Sequence, residues 1–308
     1  MKRLGIQGVL LLALALARPA GAATEAFTVA TYNLESYLDA PLGSRPAKPV
    51  ASKAKVRESL LALKPDVLAL QEIGSTNALL ELCASLRADG LNYPHWEHVT
   101  GWDTNINVAV LSRFPFVARR PHTNESFLLQ GRRFRVTRGF AEVEIQVNPR
   151  YRFILIAAHL KSRREVAEAS QEEIREQEAI LLRRLIDRRL KENPEMNLVV
   201  LGDFNDAPDS RSIRTLLGKG RAALVDARPA ERNGDDQPNA NPRFAPRNVT
   251  WTHFYGKEDS YSRVDYLLLS PAMAREWTTN GTYVLTLPNW GVASDHRPIA
   301  ARFVATDR

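Results

Sequence analysis

Short apolar runs with many β-branched residues alternate along this chain with longer amphipathic stretches. Strand-like composition occurs at residues 27–33, 66–71, 107–112, 134–147, 153–159, 197–201 and 264–269. Helical patterns occur at residues 52–64, 77–87 and 164–192, and Pro65 closes the first of them. There are too many strand candidates for one sheet, so the pattern predicts an α/β or α+β layered sandwich with two sheets.

Polar side chains collect where these apolar runs begin or end. The clusters are Thr31-Tyr32-Asn33-Leu34-Glu35, Leu70-Gln71-Glu72, Ala158-His159-Leu160-Lys161-Ser162, Leu201-Gly202-Asp203-Phe204-Asn205-Asp206, Ser262-Arg263-Val264-Asp265-Tyr266 and Ser294-Asp295-His296-Arg297-Pro298. If the strand ends meet at one rim, their carboxylates can bind a hard cation such as Mg²⁺, and their amides can add neutral ligands or phosphate contacts. The histidines can transfer protons or hydrogen-bond a phosphate near neutral pH. Together these groups suit hydrolysis of a phosphoester, in which negative charge builds up in the transition state.

Each cluster taken alone also has an ordinary structural interpretation. An Asp-x-Asn sequence after a strand, as at Asp203, is more often a turn than a ligand. The pair Asp295-His296 alone would more often lie on the surface than act in catalysis, and Glu72 alone could cap the helix that follows it. The whole set is therefore a much stronger signal than any of its parts.

The six clusters, in this order, resemble the motifs of the endonuclease/exonuclease/phosphatase superfamily across nearly all of the chain after residue 22. The resemblance implies a four-layered α/β sandwich in which helices flank two packed mixed β-sheets, with the active site at one edge of the sheets. It implies Glu72 as the principal metal ligand, with Asn33 and Asp295 close to it. The metal would be Mg²⁺ or Mn²⁺, and Ca²⁺ is also compatible with such a site.

The resemblance also implies roles for the other polar residues. Asp203 and Asn205 would align the attacking water and the scissile phosphate, which Asn33 would also contact. Asp265 would orient His296, which would act as the base or as a hydrogen-bond donor in the transition state, with Asp203 as the alternative base. His159 would face the phosphate from the opposite side.

Arg138 is a further candidate for contact with the phosphate. It stands in Thr137-Arg138-Gly139-Phe140, where many superfamily members carry an arginine on a strand near the phosphate. The alternative is a strand residue that faces solvent.

The N-terminal residues predict an export signal. Lys2 and Arg3 precede an apolar run at residues 9–17, and Ala20-Gly21-Ala22 supplies a small-x-small cleavage site. The run is short for a membrane anchor, which needs roughly 20 apolar residues. We expect a signal peptide at residues 1–22 and one catalytic domain at 25–308, exported to the periplasm or beyond. Residues 1–22 carry three basic and no acidic side chains, so their removal lowers the net charge from +7 to +4.

Position 159 bears on the substrate. With histidine there, the chain resembles deoxyribonuclease I, the bacterial sphingomyelinases and the inositol phosphatases rather than the DNA-repair enzymes of the superfamily. The segment His159-Leu160-Lys161-Ser162 is similar to that of exported bacterial nucleases. Arginine and aromatic residues at 243–247 and 251–261 could line a groove for phosphates and bases. We therefore expect a nuclease that cleaves DNA, with RNA as a second substrate class, and neither stable membrane insertion nor an obligate protein partner.

Two other functions compete with a nuclease. The first is a sphingomyelinase-like phosphodiesterase or a phosphatase that acts on lipid headgroups or small phosphoesters. The second is a non-catalytic binding protein on the same fold, which the intact set of metal-binding and histidine residues disfavours.

Overall fold

The computed structural model describes residues 25–231 and 250–306, in which seven strands form a mixed sheet, sheet 1. Labels follow chain order, and the strands of sheet 1 in spatial order are β12 (Ala230–Glu231), β16 (Trp277–Val284), β17 (Ile299–Ala305), β1 (Glu25–Tyr37), β2 (Val67–Ile73), β4 (Asn107–Ser112) and β3 (His95–Val99). Strands β1 and β2 are parallel, whereas β17 and β4 run antiparallel to them. The predictions at residues 1–22 and 243–247 lie outside the described residues.

The described residues also form a six-stranded mixed sheet, sheet 2. Its strands in spatial order are β11 (Val225–Asp226), β15 (Asp265–Leu269), β10 (Leu198–Asp203), β9 (Tyr151–His159), β8 (Phe140–Asn148) and β5 (Phe116–His122). Strands β9 and β10 are parallel. Two separate hairpins pair β6 (Ser126–Leu129) with β7 (Arg132–Arg135) and β13 (His253–Tyr255) with β14 (Ser260–Ser262).

Hydrophobic packing arranges the two sheets and their helices in four layers. The helices are α1 (Val50–Leu63), α2 (Thr76–Ala88), α3 (Gln171–Glu192), α4 (Arg211–Leu217) and α5 (Pro271–Arg275). The inner faces of the sheets share one core, where the rings of Phe27 and Phe153 stack with centroids 5.2 Å apart. Helices α1 and α2 cover the outer face of sheet 1, and α3 and α4 cover that of sheet 2. The predicted four-layered sandwich is confirmed.

The prediction of one strand over residues 134–147 is wrong, because the chain breaks between β7 and β8. Gly139 has a φ of +69°, and a Cβ atom there would lie 2.7 Å from the carbonyl oxygen of His122. The sequence pattern misses this break because Val136 and Phe140 on either side of it are both apolar and buried. Residues 136–139 therefore leave the strand and change direction, which carries Arg138 to the rim of sheet 2.

The prediction of a helix from residue 164 is also wrong, since α3 begins at Gln171. The side chain of Lys161 donates from Nζ to the carbonyl oxygen of Arg164 at 2.8 Å, which fixes a loop where helical hydrogen bonds would otherwise begin.

None of the five helices in the described part of the chain has the length and apolar composition that crossing a bilayer requires.

The carboxyl ends of two parallel strand pairs meet at one rim of the sandwich. Asn33 and Glu72 lie at the ends of β1 and β2, and His159 and Asp203 end β9 and β10. A hydrogen bond of 2.9 Å from Asn33 Nδ2 to Asp203 Oδ2 joins sheet 1 to sheet 2. Ligands bind at the carboxyl ends of parallel strands in many α/β folds, and the polar clusters of this chain converge there.

Candidate active site

Asp203 is the buried carboxylate at the centre of this rim. Its Oδ1 accepts the backbone N–H of Asn205 at 2.9 Å, and its Oδ2 accepts Nδ2 of Asn33 at 2.9 Å and of Asn205 at 3.3 Å. Nε2 of His159 lies 3.4 Å from the same Oδ2, and Nε2 of His296 lies 3.7 Å from it. Burial raises the pKa of Asp203 to about 6, although the charge of His296 opposes this shift. One carboxylate oxygen thus faces both predicted catalytic histidines.

His296 is surrounded by carboxylates. Its Nδ1 lies 2.9 Å from Asp265 Oδ2, and its Nε2 lies 3.8 Å from Asp295 Oδ1 in addition to its contact with Asp203. Burial alone would lower the pKa of His296, but Asp265 and Asp203 outweigh burial and raise it to about 10. A protonated imidazole donates from both nitrogens, so His296 can hold Asp265 through Nδ1 and offer a donor at Nε2.

His159, on the other side of Asp203, has a cationic environment. Burial, followed by the charges of Arg138 and His296, holds the pKa of His159 well below its ordinary value, and Lys161 adds to the effect. Its Nδ1 has no hydrogen-bond partner within the described residues. His159 is therefore a neutral ring, which leaves the positive charge on this side to the neighbouring arginine and lysine.

Arg138 lies in the bend before β8, with only 5% of its surface exposed, so the alternative of a solvent-facing strand residue is wrong. It donates from Nη1 to the carbonyl oxygen of Leu160 at 3.0 Å, and its Nε has no partner among the described residues. Asn205 Nδ2 also donates to this carbonyl at 3.0 Å, so two of the three predicted phosphate contacts are anchored at the end of β9.

Buried Glu178 of α3 ties the loops on this cationic side together. It accepts the backbone N–H and hydroxyl of Thr137 at 2.8 and 2.6 Å, and the backbone N–H of Lys161 at 2.6 Å. This one carboxylate therefore fixes the residue before Arg138 and the residue after Leu160.

Besides Asp265, three carboxylates lie on the acidic side of the rim. Glu35 Oε2 accepts the backbone N–H of Asp295 at 3.1 Å, and Glu72 Oε2 accepts the N–H and hydroxyl of Ser36 at 2.9 and 3.1 Å. Burial and then the charge of Asp295 raise the pKa of Glu35, with a smaller contribution from Glu72. Lys48 donates from Nζ to the carbonyl oxygen of Glu35 at 3.0 Å and offsets part of this negative charge.

The donors on this side fit a divalent cation. Carboxylate and amide oxygens are the ligands that Mg²⁺ and Ca²⁺ prefer, and Asn33 presents its Oδ1, which accepts the N–H of Glu35 at 3.0 Å. His253 adds a nitrogen, since its Nε2 lies 3.6 Å from Asp295 Oδ2. Ligand atoms of His253, Asp295 and His296 all lie within 4.8 Å of one another, whereas Glu72 falls outside both such groups found in the described residues.

Unusual backbone conformations aim these side chains. Glu35, Glu72 and Asn205 have positive φ values of 47°, 58° and 54°, and the sheet register shifts in β1 after Asn33 and in β2 after Gln71. Left-handed conformations at residues other than glycine are costly and cluster at functional sites. These irregularities turn the ends of β1, β2 and β10 away from regular pairing and towards the rim.

Gly202 lets β10 approach β9 beside Asp203. Its φ is +136°, and a Cβ atom there would lie 1.9 Å from the carbonyl oxygen of Ala158. Any larger residue would force the two strands apart where Asp203 faces His159.

Sequence reasoning missed four residues of this site, namely Glu35, Lys48, Glu178 and His253. Glu35 stands within the cluster at the end of the first apolar run, two residues after Asn33, so its position could have identified it as a site residue. His253 reaches the site through an isolated bridge to His296, and Lys48 through a loop, and neither has a local sequence signal. Glu178 lies on a helix whose many charges resemble a solvated surface.

A cavity of about 710 Å³ opens beside the acidic carboxylates. It combines the carboxylates of Glu35 and Asp295 with aromatic, amide and lysine side chains, and its lining residues are Glu35, Phe254, Tyr255, Gly256, Lys257, Asn289, Trp290, Gly291 and Asp295. The predicted aromatic segment at 251–261 thus supplies one wall of a cavity next to the rim.

Residues 30–296 match the model of the Endonuclease/Exonuclease/phosphatase family, and the chain belongs to this family. The resemblance seen in its motifs is confirmed. Members of the family are metal-dependent phosphoester hydrolases, so the chain is a phosphoesterase of this family. No curated protein sequence matches it.

Solved structures of this family share the fold at low sequence identity. The human Nocturnin catalytic domain has a TM-score of 0.63 at 17% identity, over 92% of this chain and 96% of that chain. The 3′ phosphatase NExo from Neisseria, bound to a product DNA hairpin, has a TM-score of 0.58 at 19% identity, over 90% and 99%. Sphingomyelinase C from Streptomyces griseocarneus has a TM-score of 0.56 at 20% identity, over 92% and 100%.

Proposed function

We propose that this chain is an exported, divalent-metal-dependent nuclease that hydrolyses phosphodiester bonds in DNA, with RNA as a second substrate class. The division of charge around Asp203 carries the proposal. Asp265 and Asp295 lie on one side, and Arg138 and Lys161 lie on the other. A phosphodiester has one negative charge, which can face the cations while the acidic side holds a metal.

Glu72, Asn33 and Asp295 would hold the metal, with Glu35 and His253 beside them. When bound, a divalent cation stabilises the negative charge that develops on the phosphoryl and leaving oxygens. Mg²⁺ or Mn²⁺ is the expected ion, and Ca²⁺ suits the same oxygen donors.

The chain's own side chains position the water and the phosphate. Hydrolysis forms a bond between the water oxygen and phosphorus and breaks the bond between phosphorus and the ester oxygen. Asp203 accepts the proton of the water, and its own contacts with Asn33 and Asn205 fix the direction of its Oδ2. His296 donates a hydrogen bond from Nε2 to a phosphoryl oxygen. The three carboxylates around His296 keep it protonated, which favours Asp203 over His296 as the base.

The cavity on the acidic side supports a nucleic acid as the substrate. Phe254, Tyr255 and Trp290 provide aromatic surfaces on which bases can stack, and Lys257 can contact a phosphate. Other members of the fold act on different phosphoesters, so the fold alone does not choose among them. The proposal of export rests on residues 1–22, which have the sequence pattern of a signal peptide.

Hydrolysis by the purified protein lacking residues 1–22 tests the proposal. The substrates are plasmid DNA, RNA, sphingomyelin vesicles and bis-p-nitrophenyl phosphate, each with Mg²⁺ or Mn²⁺ and with a chelator. An Asp203→Ala/His296→Ala variant controls for contaminating nucleases, and His95→Ala, on the edge strand β3, is a matched control that should keep activity.

We expect metal-dependent cleavage of plasmid DNA that the double variant lacks and the His95 variant retains. Cleavage of sphingomyelin with intact nucleic acid would overturn the proposed substrate and keep the catalytic site. Failure to hydrolyse any of these phosphoesters would favour a binding protein on this fold. Cell fractionation of the full-length chain tests export, which a cytoplasmic, uncleaved product would contradict.

A further inference from the structure

The hairpin of β6 and β7, the arginine hairpin, carries an unusual concentration of exposed positive charge. Arg132, Arg133 and Arg135 are all exposed, and none of them pairs with a carboxylate in the described part of the chain. Some arginines elsewhere, such as Arg175 and Arg183, pair with an aspartate at 3.0 and 2.6 Å. Three unpaired guanidinium groups on one short hairpin form a binding surface for an anion with several charges.

The arginine hairpin is a fixed part of the fold. Phe127 of β6 is buried and stacks on Phe134 of β7, with ring centroids 5.8 Å apart and planes 11° apart. Both rings pack against the core between sheet 2 and α3. The arginines therefore project from an anchored platform, which lowers the entropy that an extended ligand would lose on binding.

An exposed tryptophan stands next to these arginines. Trp102 has 63% of its surface exposed, and the guanidinium carbon of Arg135 lies 4.6 Å from the centroid of its ring. The arginine covers one face of the indole, and the ring offers further aromatic surface to a ligand. Aromatic stacking combined with cationic groups is the pattern by which proteins bind single-stranded nucleic acid.

A cavity of about 550 Å³ connects this surface to the cationic side of the candidate active site. Trp102, Arg133 and Arg135 line one part of it, and Thr137 and Lys161 line another. Thr137 precedes Arg138, and the charge of Lys161 acts on His159. Glu168 is the one acidic residue among its described lining residues.

We propose that the arginine hairpin and Trp102 form a second binding site, which holds the single-stranded nucleic acid that flanks the scissile phosphate. The proposal rests on the proposed nuclease function. It adds the path that the nucleic acid follows from the scissile phosphate, which leads away from the cavity on the acidic side. The arginines bind successive phosphates, and Trp102 stacks on a base. An anionic membrane is the competing ligand, because Leu128 at the same hairpin is 64% exposed.

Binding without cleavage tests this site. A fluorescein-labelled oligothymidylate about 12 nucleotides long is titrated with the protein in chelator, and fluorescence anisotropy gives Kd. We expect the triple variant Arg132→Gln/Arg133→Gln/Arg135→Gln to reduce the slope of log K against log salt concentration by about 2. Each lost contact with a single-strand phosphate reduces the slope by about 0.7. Trp102→Ala should weaken binding about tenfold.

A matched control removes the same charge elsewhere. Arg150, Arg184 and Arg188 are exposed and lie outside the hairpin, so Arg150→Gln/Arg184→Gln/Arg188→Gln should keep the wild-type salt dependence. Hydrolysis of bis-p-nitrophenyl phosphate, which is too small to span both sites, should stay within twofold of wild type in every variant. This second measurement separates failure of the hairpin site from failure of the catalytic site.

Three results would contradict the proposed site or assign it to another ligand. Equal salt dependence in the hairpin and control variants would overturn the inference, and so would wild-type protein that does not bind the oligonucleotide. Wild-type cleavage of DNA in that case would leave the proposed nuclease function intact. Co-sedimentation with phosphatidylserine vesicles that the hairpin substitutions abolish, without an effect on oligonucleotide binding, would assign the surface to a membrane instead.

Discussion

The two sides of Asp203 give two histidines opposite protonation states within one site. Carboxylates packed around His296 outweigh its burial and raise its pKa. Burial lowers the pKa of His159, and the charges of Arg138 and His296 lower it further, with smaller contributions from Arg45 and Lys161. Both rings direct Nε2 at the same oxygen of Asp203, at 3.7 and 3.4 Å. Burial acts in the same direction on both, so the sign of the neighbouring charge decides the difference.

This difference separates the tasks that phosphoester hydrolysis demands. The acidic side can hold a cation and a protonated histidine, and the cationic side can hold the phosphate. If carboxylates and cations were mixed evenly around Asp203, they would pair with one another and leave no site for either ligand. The separation therefore predicts that substitutions on the two sides will have different effects.

Loss of His296 should have the largest effect. His296→Ala removes the charged donor that faces Asp203 and the substrate, and we expect turnover to fall roughly a thousandfold. The measurement is kcat on plasmid DNA or bis-p-nitrophenyl phosphate at saturating metal, with His95→Ala as the matched control. Near-native turnover in the His296 variant would show that a hydrogen bond from His296 does not stabilise the transition state.

Asp265→Asn should have the next largest effect. The substitution keeps the shape of the partner of His296 Nδ1 but removes the charge that favours its protonated form. We expect turnover to fall about a hundredfold because a misprotonated ring is a poor donor. The ¹⁵N shifts of the His296 ring in the metal-free protein should change towards a neutral imidazole. Turnover and shifts like those of wild type would show that the other carboxylates suffice.

Glu35→Gln should weaken metal binding about tenfold, as the loss of a supporting group around a metal commonly does. Glu35 accepts the backbone N–H of Asp295, and the charges of Asp295 and Glu72 both raise its pKa. Isothermal titration with Mn²⁺ measures the affinity, and Glu192→Gln on the exposed end of α3 is the control. Equal affinities in both variants would place the metal away from Glu35.

The sequence predicts much of this arrangement but not its electrostatics. Apolar runs that end in polar clusters predict the strands and the rim, because alternation and strand length are local properties. The strand over residues 134–147 was predicted wrongly because its break depends on a contact with a residue distant in the chain. The start of α3 was predicted wrongly because a side-chain hydrogen bond from Lys161 to the nearby carbonyl of Arg164 leaves no trace in the helical periodicity. The bend packs on His122, and the loop before α3 is held by Lys161.

The candidate site shows the same limit. Asn33, His159 and Asp203 could be proposed because they stand at strand ends. The structure brings Asn33 to 2.9 Å and His159 to 3.4 Å from Oδ2 of Asp203. His253 lies beside Asp295 because β13 forms a bridge to His296, and nothing in the local sequence predicts that pairing. The opposite charges around the two histidines likewise arise largely from residues far apart in the chain, such as Asp265 and Asp203 around His296 and Arg138 beside His159.

The smallest predicted effect concerns stability on the cationic side. The folded-state pKa of His159 is below its unfolded value of about 6.5, so the folded protein holds this ring neutral where the unfolded chain protonates it. The contribution to stability is therefore complete above pH 6.5 and is lost as the pH falls towards the folded pKa. A single group of this kind changes the free energy of unfolding by at most about 1.4 kcal/mol per pH unit.

His159→Gln and His159→Asn, which cannot titrate, should both remove this contribution from the acid side of the stability profile. Urea unfolding of the metal-free protein between pH 4 and pH 7 measures it, as the difference in slope between wild type and each variant. Both variants should lose less stability than wild type as the pH falls. Equal slopes in all three proteins would mean that His159 has the same pKa in the folded and unfolded states. Its cationic neighbours would then not determine its charge, and the contrast with His296 would fail on that side.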